Sequence, residues 1–370
     1  MRREHIVAVV LAGLAATGLA PAARGWDRGD VDIFAVLPKG STGPEGLTVG
    51  PRGNVLATSF GFNSQGAVTG NSRLFVFAPD GQLIRQVAIE GSTPHTLGLA
   101  FNPVTHKLIV LDFGAGTALQ VDPRTGASTL FMTASTTGTP DPNTPGTDPT
   151  KAGLNAVTFD AAGNVYISDS FQGIIWKTGP KGGTGAGRLG TIWVEDPTLT
   201  TTGYPPFGAN GIEFNNEGTI LYADNTGTDQ IVTIPVNTDG SAGKPAVFVN
   251  SINGADGLAI DGRDNLWVVA NQADEIDVLD PTGKVIAKLG DFAGIKHGVP
   301  QGLLFPASPA FSPDGRWLYV SNIGLDLRVP GLGLVQAIDS QWAHQVTRYT
   351  ISRLRAKIPP LGAEDNHGRR

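Results

Sequence analysis

Four side chains with oxygen donors begin equivalent segments of an internal repeat: Glu45, Asn155, Asn210 and Asp256. If the repeats surround one axis, two carboxylates and two carboxamides face one point, which is costly unless a cation neutralises them. This ligand set favours a hard divalent cation, and calcium fits it best. The set contains neither His nor Cys, which disfavours zinc and copper. The alternative is that these side chains cap strands and bind each other or water.

The repeat itself occurs six times, and its first residues lie between 46 and 58 residues apart, as in propeller blades. These first residues are Glu45, Leu97, Asn155, Asn210, Asp256 and Ala307. Each begins an apolar segment, a turn and a second apolar segment, which indicates two antiparallel strands. Five of the six turns contain Gly, as in Gly-Asn or Asp-Gly pairs. Two further strand-like segments follow in most repeats, the third of the last repeat being Val346–Ile351.

These features predict an all-β fold, a six-bladed β-propeller with four antiparallel strands in each blade. Val31–Leu37 is expected to supply the outer strand of the last blade, which closes the ring and removes an open sheet edge. In this arrangement the first residue of each repeat lies at one mouth of the central channel. The four oxygen-donor side chains therefore meet there.

The N-terminus has the pattern of a secretory signal peptide, residues 1–22: Arg2 and Arg3, an apolar run from Ile6 to Leu19, and Ala20-Pro21-Ala22 as a cleavage site. The run is too short to span a membrane, so we expect no membrane anchor. Residues 23–370 then form one domain, a periplasmic or secreted monomer. The net charge of −6 argues against nucleic acid as a partner. The chain has no Cys, which excludes disulfides and thiolate chemistry.

Long segments before the inner strands lie on the mouth face of the predicted propeller. They are Phe60–Asn71, Thr133–Thr150 and Glu195–Phe207, which either cap the channel or decorate the surface. Aromatic side chains on this face either line an apolar pocket or only pack the loops; they are Phe60, Phe62, Phe113, Phe171, Tyr204 and Phe207. Polar residues recur at the end of the second strand, where a structural role such as hydrogen bonding between blades is expected: Asp112, Asp169, Asp224, Asn271 and Asn322.

The ordered set of Glu, Asn, Asn and Asp resembles the senescence-marker-protein/gluconolactonase family, which is related to paraoxonases and to phosphotriesterases of the diisopropyl-fluorophosphatase type. The resemblance covers nearly all of residues 23–370, and it implies a six-bladed propeller that holds one Ca²⁺. The implied ligands are Glu45 in Pro-Glu-Gly-Leu, Asn155 in Leu-Asn-Ala-Val, Asn210 in Ala-Asn-Gly-Ile and Asp256 in Ala-Asp-Gly-Leu.

The family's activity implies hydrolysis of a small lactone or related ester, with the metal polarising the carbonyl. If the aromatic side chains on the mouth face line a pocket, the substrate is apolar. Asp256 is then the catalytic base or nucleophile. His95 and His297, which the pattern places near the mouth, are either candidate catalytic bases or plain loop residues. Two positions depart from the family: Ala156 replaces a supporting Asp, and Leu97 stands where paraoxonases have a His.

Two other functions stay open at this point. One is a non-catalytic propeller that binds a ligand or protein and whose calcium is structural. The other is a metal-free propeller of the strictosidine-synthase type, for which chelators would have no effect.

Overall fold

The computed structural model describes residues 26–63, 65–136, 150–325 and 340–359. They form six four-stranded antiparallel sheets, so the prediction of a six-bladed propeller is confirmed. The predicted signal peptide, residues 1–22, lies outside the described residues. Within the described part of the chain, no helix has the length and apolar character needed to cross a membrane.

The blades use strands that follow one another along the chain, numbered here from the N-terminus. Blade 1 contains β2 (Pro44–Val49), β3 (Val55–Ser59), β6 (Arg73–Phe77) and β7 (Leu83–Ala88), and a small hairpin of β4 (Phe62–Asn63) and β5 (Gly66–Ala67) follows β3. Blade 2 contains β8 (Thr96–Phe101), β9 (Leu108–Asp112), β10 (Thr117–Val121) and β11 (Ser128–Thr133). Blade 3 contains β12 (Leu154–Phe159), β13 (Val165–Asp169), β14 (Ile174–Thr178) and β15 (Thr191–Glu195).

Blades 4 to 6 repeat this order. Blade 4 contains β16 (Ala209–Phe214), β17 (Ile220–Asn225), β18 (Gln230–Pro235) and β19 (Ala246–Asn250). Blade 5 contains β20 (Ala255–Ile260), β21 (Leu266–Ala270), β22 (Glu275–Leu279) and β23 (Val285–Leu289). Blade 6 contains β26 (Pro306–Phe311), β27 (Trp317–Asn322), β28 (Thr350–Arg355) and β1 (Val31–Val36).

The remaining elements are short. A hairpin of β24 (Phe292–Lys296) and β25 (Val299–Gly302) joins blades 5 and 6, and helix α1 (Ser340–Ala343) precedes β28. Single 3₁₀ turns span Pro197–Leu199, Thr226–Thr228 and Asn271–Ala273.

The ring closes through the N-terminal strand, as the sequence predicts. Strand β1 pairs antiparallel with β28, from Val31 opposite Leu354 to Val36 opposite Thr350. Strand β28 begins four residues later than the predicted segment Val346–Ile351. The reason is that Val346 ends a helical turn, because its N–H donates to the carbonyl of Ala343.

The hairpin that joins the first two strands of each blade is fixed by its turn residues. In blade 3, Asp160 accepts hydrogen bonds from the backbone N–H groups of Ala162 and Asn164 at 3.0 and 2.9 Å. Gly163 in this turn has a φ of 79°, a left-handed conformation that favours glycine. Such turns place all six inner strands in one direction, so their first residues share one mouth of the channel.

Apolar clusters lie within and between neighbouring blades, with Trp176 and Trp267 fully buried. Each inner strand lies against the inner strand of the next blade, and β26 lies against β2. The packing therefore holds the six inner strands at fixed positions around the axis.

Candidate metal centre at the channel mouth

A β-bulge in every inner strand aims the first residue of the repeat. In blade 1, Pro44 pairs with Ser59 and Leu47 with Ala57, so Glu45 and Gly46 together face one residue of the partner strand. The same two-against-one irregularity occurs in the other five blades. Bulges re-aim side chains next to functional sites, and here each one lies at a residue of the predicted ring.

The residue after the ring position packs against the next blade. A Cβ atom on Gly46 would lie 2.1 Å from the carbonyl oxygen of Leu97, and one on Gly211 would lie 2.4 Å from that of Asp256. Real side chains do not tolerate such contacts, so glycine lets neighbouring blades approach closely at the mouth. Glycine therefore also sets how closely the ring residues converge.

The four predicted ligands line one cavity of about 40 Å³. Glu45, Asn155, Asn210 and Asp256, which we call the polar ring, are each less than 10% exposed. Thr226 and Asn271 complete the polar part of the lining. The rest is apolar: Phe60, Leu97, Pro205, Phe207, Phe305, Ile323 and Leu325. Since one ordered water needs roughly 10–15 Å³, the cavity has room for about an ion with one or two waters.

The orientation of both amides follows from their hydrogen bonds. The hydroxyl of Ser170 donates to the carbonyl of Ala209 at 2.7 Å, so it can only accept from Nδ2 of Asn155, which lies 3.1 Å away. Because Nδ2 is held by the hydroxyl, Oδ1 of Asn155 is turned away from it.

Blade 4 repeats this relay. Thr226 donates to the carbonyl of Ala255 at 2.7 Å and accepts from Nδ2 of Asn210 at 2.9 Å. Among the described residues, no donor forms a hydrogen bond with Oδ1 of Asn155 or of Asn210. Neither oxygen is fully buried by these residues. Both oxygens are thus available to the cavity that these side chains line.

The two carboxyl groups lack comparable compensation. Nδ2 of Asn271 donates to Oδ2 of Asp256 at 2.8 Å. Burial nevertheless raises the pKa of Asp256 to about 7, and the amide groups of Asn271 and Asn210 offset this only partly. Burial, followed by the charge of Asp256, raises the pKa of Glu45 well above its ordinary value. Oε2 of Glu45 is buried and has no hydrogen-bond partner among the described residues.

These observations fit a bound cation. Ca²⁺ prefers hard oxygen donors. The cavity offers the carboxylate oxygen of Glu45 that has no partner among the described residues, the neighbouring carboxylate of Asp256 and the two amide oxygens. The described residues contain no group of three or more His, Cys, Asp and Glu side chains that could hold a metal. A metal ion bound in this cavity would therefore need the amide oxygens of Asn155 and Asn210 as ligands beside the two carboxylates.

The two candidate histidines lie at different distances from the cavity. His95 is half-buried, and its Nδ1 lies 2.7 Å from the carbonyl oxygen of Phe60, which can only accept. Nδ1 is therefore protonated, and Nε2 carries the lone pair when the ring is neutral. The imidazole stacks on Phe62 at 4.7 Å between ring centroids. Phe60, rather than His95, lines the cavity, so one aromatic side chain separates His95 from the polar ring.

His297 does not join the ring. It forms the turn of the β24–β25 hairpin with a φ of 52°, and the second strand of that hairpin contacts β1 and β28, the two outermost strands of blade 6. His297 is not among the residues that line the cavity.

Both departures from the family lie at the ring level. Leu97 is part of the cavity wall. Ala156 lies at the bulge beside Asn155, where its N–H donates to Ser168 at 2.9 Å. A methyl group there supplies no carboxylate to support a neighbouring ligand.

The recurring polar residues at the end of the second strand divide into two groups. Asp112, Asp169 and Asn322 accept hydrogen bonds from the backbone of the segment that enters their own blade. Their structural role is confirmed, but these bonds lie within a blade and not between blades. Asn271 instead supports Asp256.

Asp224 is the second exception, because both of its carboxylate oxygens are buried without a partner among the described residues. The pairing of Ala209 with Asn225 and of Leu154 with Asp169 makes Asn225, not Asp224, the equivalent of Asp169. Asp224 takes the place of Ser168, behind the bulge of its blade.

The sequence did not reveal the supporting role of Ser170, Thr226 and Asn271. Each of them directly follows the last residue of the second strand that pairs with the inner strand. The sequence contains a weak signal for this role, because a polar residue follows Asn155, Asn210 and Asp256 by 15 or 16 positions. Glu45 differs, since Phe60 occupies the corresponding position. Glu45 therefore lacks a hydrogen-bonding side chain at the position where the other three ring residues have one.

A six-bladed propeller with a polar, carboxylate-containing ring at one channel mouth is the class that fold and site define. The model of the family described as SMP-30/Gluconolactonase/LRE-like region matches residues 92–290, more than half of the chain. The chain therefore belongs to this family. None of the curated proteins matches it.

Solved structures of low identity share the fold. Regucalcin from Agrobacterium tumefaciens, described as a calcium-binding protein, is 18% identical with a TM-score of 0.57, over 89% of this chain and 98% of that one. A gluconolactonase from Xanthomonas campestris is 13% identical with a TM-score of 0.57, over 90% and 92% of the two chains. A luciferin-regenerating enzyme is 16% identical with a TM-score of 0.55, over 91% and 97%.

Proposed function

We propose that this chain is an exported, calcium-dependent hydrolase of lactones or related esters. The observation that carries the proposal is the buried, unpartnered Oε2 of Glu45 in a cavity that it shares with Asp256, Asn155 and Asn210. Family membership and the calcium-binding relative support the same cation. Export rests on the signal-peptide pattern of residues 1–22 alone.

Each ring residue has a role in this proposal. Glu45 and Asp256 would supply the negative charge that holds Ca²⁺, and Asn155 and Asn210 would supply neutral amide oxygens. A bound calcium ion would provide Lewis-acid polarisation of the substrate carbonyl. Ser170 and Thr226 fix the two amides in advance, so little rearrangement is required when a ligand binds.

Water must also be activated or replaced as the attacking group. Asp256 is the proposed base or nucleophile. Asn271 donates a hydrogen bond to one of its oxygens, so the carboxylate is held in place for nucleophilic attack or proton removal. His95 is the proposed alternative base, because its Nε2 carries the lone pair.

The first experiment measures metal content and melting temperature of the protein before and after chelation. One bound calcium, whose removal lowers the melting temperature, supports the proposal and justifies assays on lactones, esters and phosphotriesters. In calorimetric titrations Asp256→Ala should lower calcium affinity by more than about 100-fold, because breaking a buried charged site is expensive. Unchanged affinity in this variant would refute the ring as the metal site.

A second function, a binding propeller with a structural calcium, is favoured by one specific observation. No described histidine lines the cavity, and Ala156 and Leu97 remove groups that catalytic relatives would use. Calcium-dependent stability without hydrolysis in any of these assays would support that function. No metal and no chelator effect would exclude both.

A further inference from the structure

The part of the cavity wall that the polar ring does not supply is apolar. Phe60, Leu97, Phe207, Phe305, Ile323 and Leu325, which we call the apolar collar, line the same cavity as the ring. All of the polar lining residues belong to the polar ring or hold its side chains. In the described residues the site thus has a charged floor and a hydrocarbon wall.

The collar continues outward into a group of half-exposed aromatic rings. The ring centroids of Phe113 and Phe171 lie 5.1 Å apart, and each lies 6.2 Å from that of Phe207. All three side chains keep part of their surface in solvent. Gly153 makes room for them, since a Cβ there would lie 2.7 Å from the Phe171 ring. Apolar surface exposed beside a binding cavity marks a place where apolar ligands bind.

The size of the cavity decides where a substrate must lie. About 40 Å³ holds an ion and a water or a carbonyl oxygen. Whatever is attached to the carbonyl carbon therefore contacts the collar and the aromatic rings. Hydroxyl groups on that part of the substrate would lose their water without gaining a hydrogen-bond partner, so each of them would weaken binding.

We propose that the substrates are lactones or esters with an alkyl or aryl substituent, and that polyhydroxylated sugar lactones are disfavoured. This inference rests on the proposed function. In the reaction a water oxygen bonds to the acyl carbon, the acyl C–O bond of the lactone breaks, and the water proton passes to the departing alkoxide. The product is a hydroxy acid whose hydrocarbon chain lies against the collar.

The test compares kcat/KM for δ-lactones of increasing alkyl chain length with that for glucono-δ-lactone, in the calcium-loaded protein. Each methylene that becomes buried should raise kcat/KM about two- to fourfold, and the sugar lactone should be the poorest substrate. A preference for glucono-δ-lactone would overturn the inference but leave the proposed hydrolase intact.

A pair of variants isolates the collar. Phe207→Ala should reduce the preference for the longest over the shortest alkyl lactone about tenfold, and Phe207→Leu should restore much of it. Phe248→Ala is the matched control, because Phe248 is also half-buried but packs on Tyr222, 5.6 Å between centroids, away from the mouth. Equal effects of Phe207→Ala and Phe248→Ala would contradict the role of the collar.

Binding separates this inference from the proposed function if no lactone is hydrolysed. Thermal shifts would then be measured with the same alkyl lactones and with glucono-δ-lactone. Stabilisation that grows with chain length and is lost in Phe207→Ala would support the collar while refuting the hydrolase. Stabilisation by the sugar lactone alone, or by no lactone, would refute the collar.

Discussion

Asn271 donates a hydrogen bond to Asp256 over 2.8 Å, and both side chains are buried at the channel mouth. Gly254 leaves room for the oxygen of the Asn271 amide, because a Cβ atom at residue 254 would lie only 2.1 Å from that oxygen. The amide is therefore confined on one side by Gly254 and on the other by Asp256. This arrangement fixes the carboxylate before any ligand binds.

Replacing the supporting amide should weaken the metal site without abolishing the fold. Asn271→Ala leaves Oδ2 of Asp256 without its donor, and loss of such a partner typically costs 10- to 100-fold in metal affinity. Calorimetric titration with calcium measures this change. Asn250→Ala is the control, because Asn250 is exposed and its side chain accepts a hydrogen bond from Gln230 in the outer part of blade 4. Equal affinities of the two variants would show that Asn271 has no positioning role.

The hydroxyl relay in blade 4 offers a nearly isosteric test. Thr226→Val keeps the side-chain volume but removes both the bond to Ala255 and the acceptor for Asn210. The amide of Asn210 is then free to rotate, so calcium affinity should fall about tenfold. Thr233→Val, which removes a 3.3 Å hydrogen bond on the third strand of the same blade, should leave affinity unchanged. Wild-type affinity in Thr226→Val would contradict the relay.

The stability of the chelated protein should depend on pH in a defined direction. Burial raises the pKa of Asp256 to about 7, and burial with the Asp256 charge raises that of Glu45. The folded state thus binds more protons than the unfolded state above about pH 4, so its stability falls as the pH rises towards 7. The melting temperature without metal should be several degrees lower at pH 8 than at pH 5.

In the proposed site calcium would bind the deprotonated carboxylates, so the stabilisation that it provides should be larger at pH 8 than at pH 5. Glu45→Gln removes one of the two titrating carboxyl groups of the polar ring and should weaken the pH dependence of the metal-free protein. A calcium-induced rise in melting temperature that is equal at both pH values would contradict the assignment of Glu45 and Asp256.

The sequence was sufficient to predict the blades and the identity of the ring residues. Six repeats, five of which have a Gly-containing turn, require six hairpins, and Val31–Leu37 was the remaining segment able to close the ring. The four ring residues share one repeat position, so they had to meet at one mouth. The bulges that aim them were not predictable, because a bulge depends on the pairing register and not on residue type.

The sequence could not predict the role of a residue where that role depends on a one-residue shift in strand pairing. Asp224 and Asp169 both end similar apolar runs, but Phe214 pairs with Leu221 where Phe159 pairs with Val165. The turn of blade 4 is therefore longer by one residue, and Asp224 moves to a position behind the ring. His297 could not be placed either, because the β24–β25 hairpin has no counterpart in the other blades.

The displaced Asp224 should be protonated in the folded protein. Its carboxyl group is fully buried, and no described residue donates a hydrogen bond to it. Burial, followed by the charge of Asp256, raises its pKa well above the ordinary value. The neutral isostere in Asp224→Asn therefore removes an ionisation cost. We expect a melting temperature like that of the wild type at pH 5 and a higher one at pH 8, both without metal.

Asp169→Asn is the contrasting variant. Asp169 accepts hydrogen bonds from the N–H groups of Gly153, Phe171 and Gln172, and from the side chains of Gln172 and Trp176. Exchanging one acceptor oxygen for an NH₂ group there should cost about 1–3 kcal/mol at either pH. If Asp224→Asn destabilised the protein as much as Asp169→Asn at pH 8, Asp224 would be an ionised structural group after all.

The close approach of blades 4 and 5 couples stability to the metal site through one glycine. A Cβ on Gly211 would lie 2.4 Å from the carbonyl oxygen of Asp256 and 2.8 Å from Cα of Gly257. Gly211→Ala must push the bulge of blade 5 away, which should cost about 1–3 kcal/mol and displace the Asp256 side chain. Scanning calorimetry and calcium titration should therefore both detect the substitution. Gly262→Ala, at a turn with nothing within 4 Å of the new methyl group, should change neither. A stable Gly211→Ala variant with unaltered calcium affinity would mean that the spacing of the blades does not set the geometry of the ring.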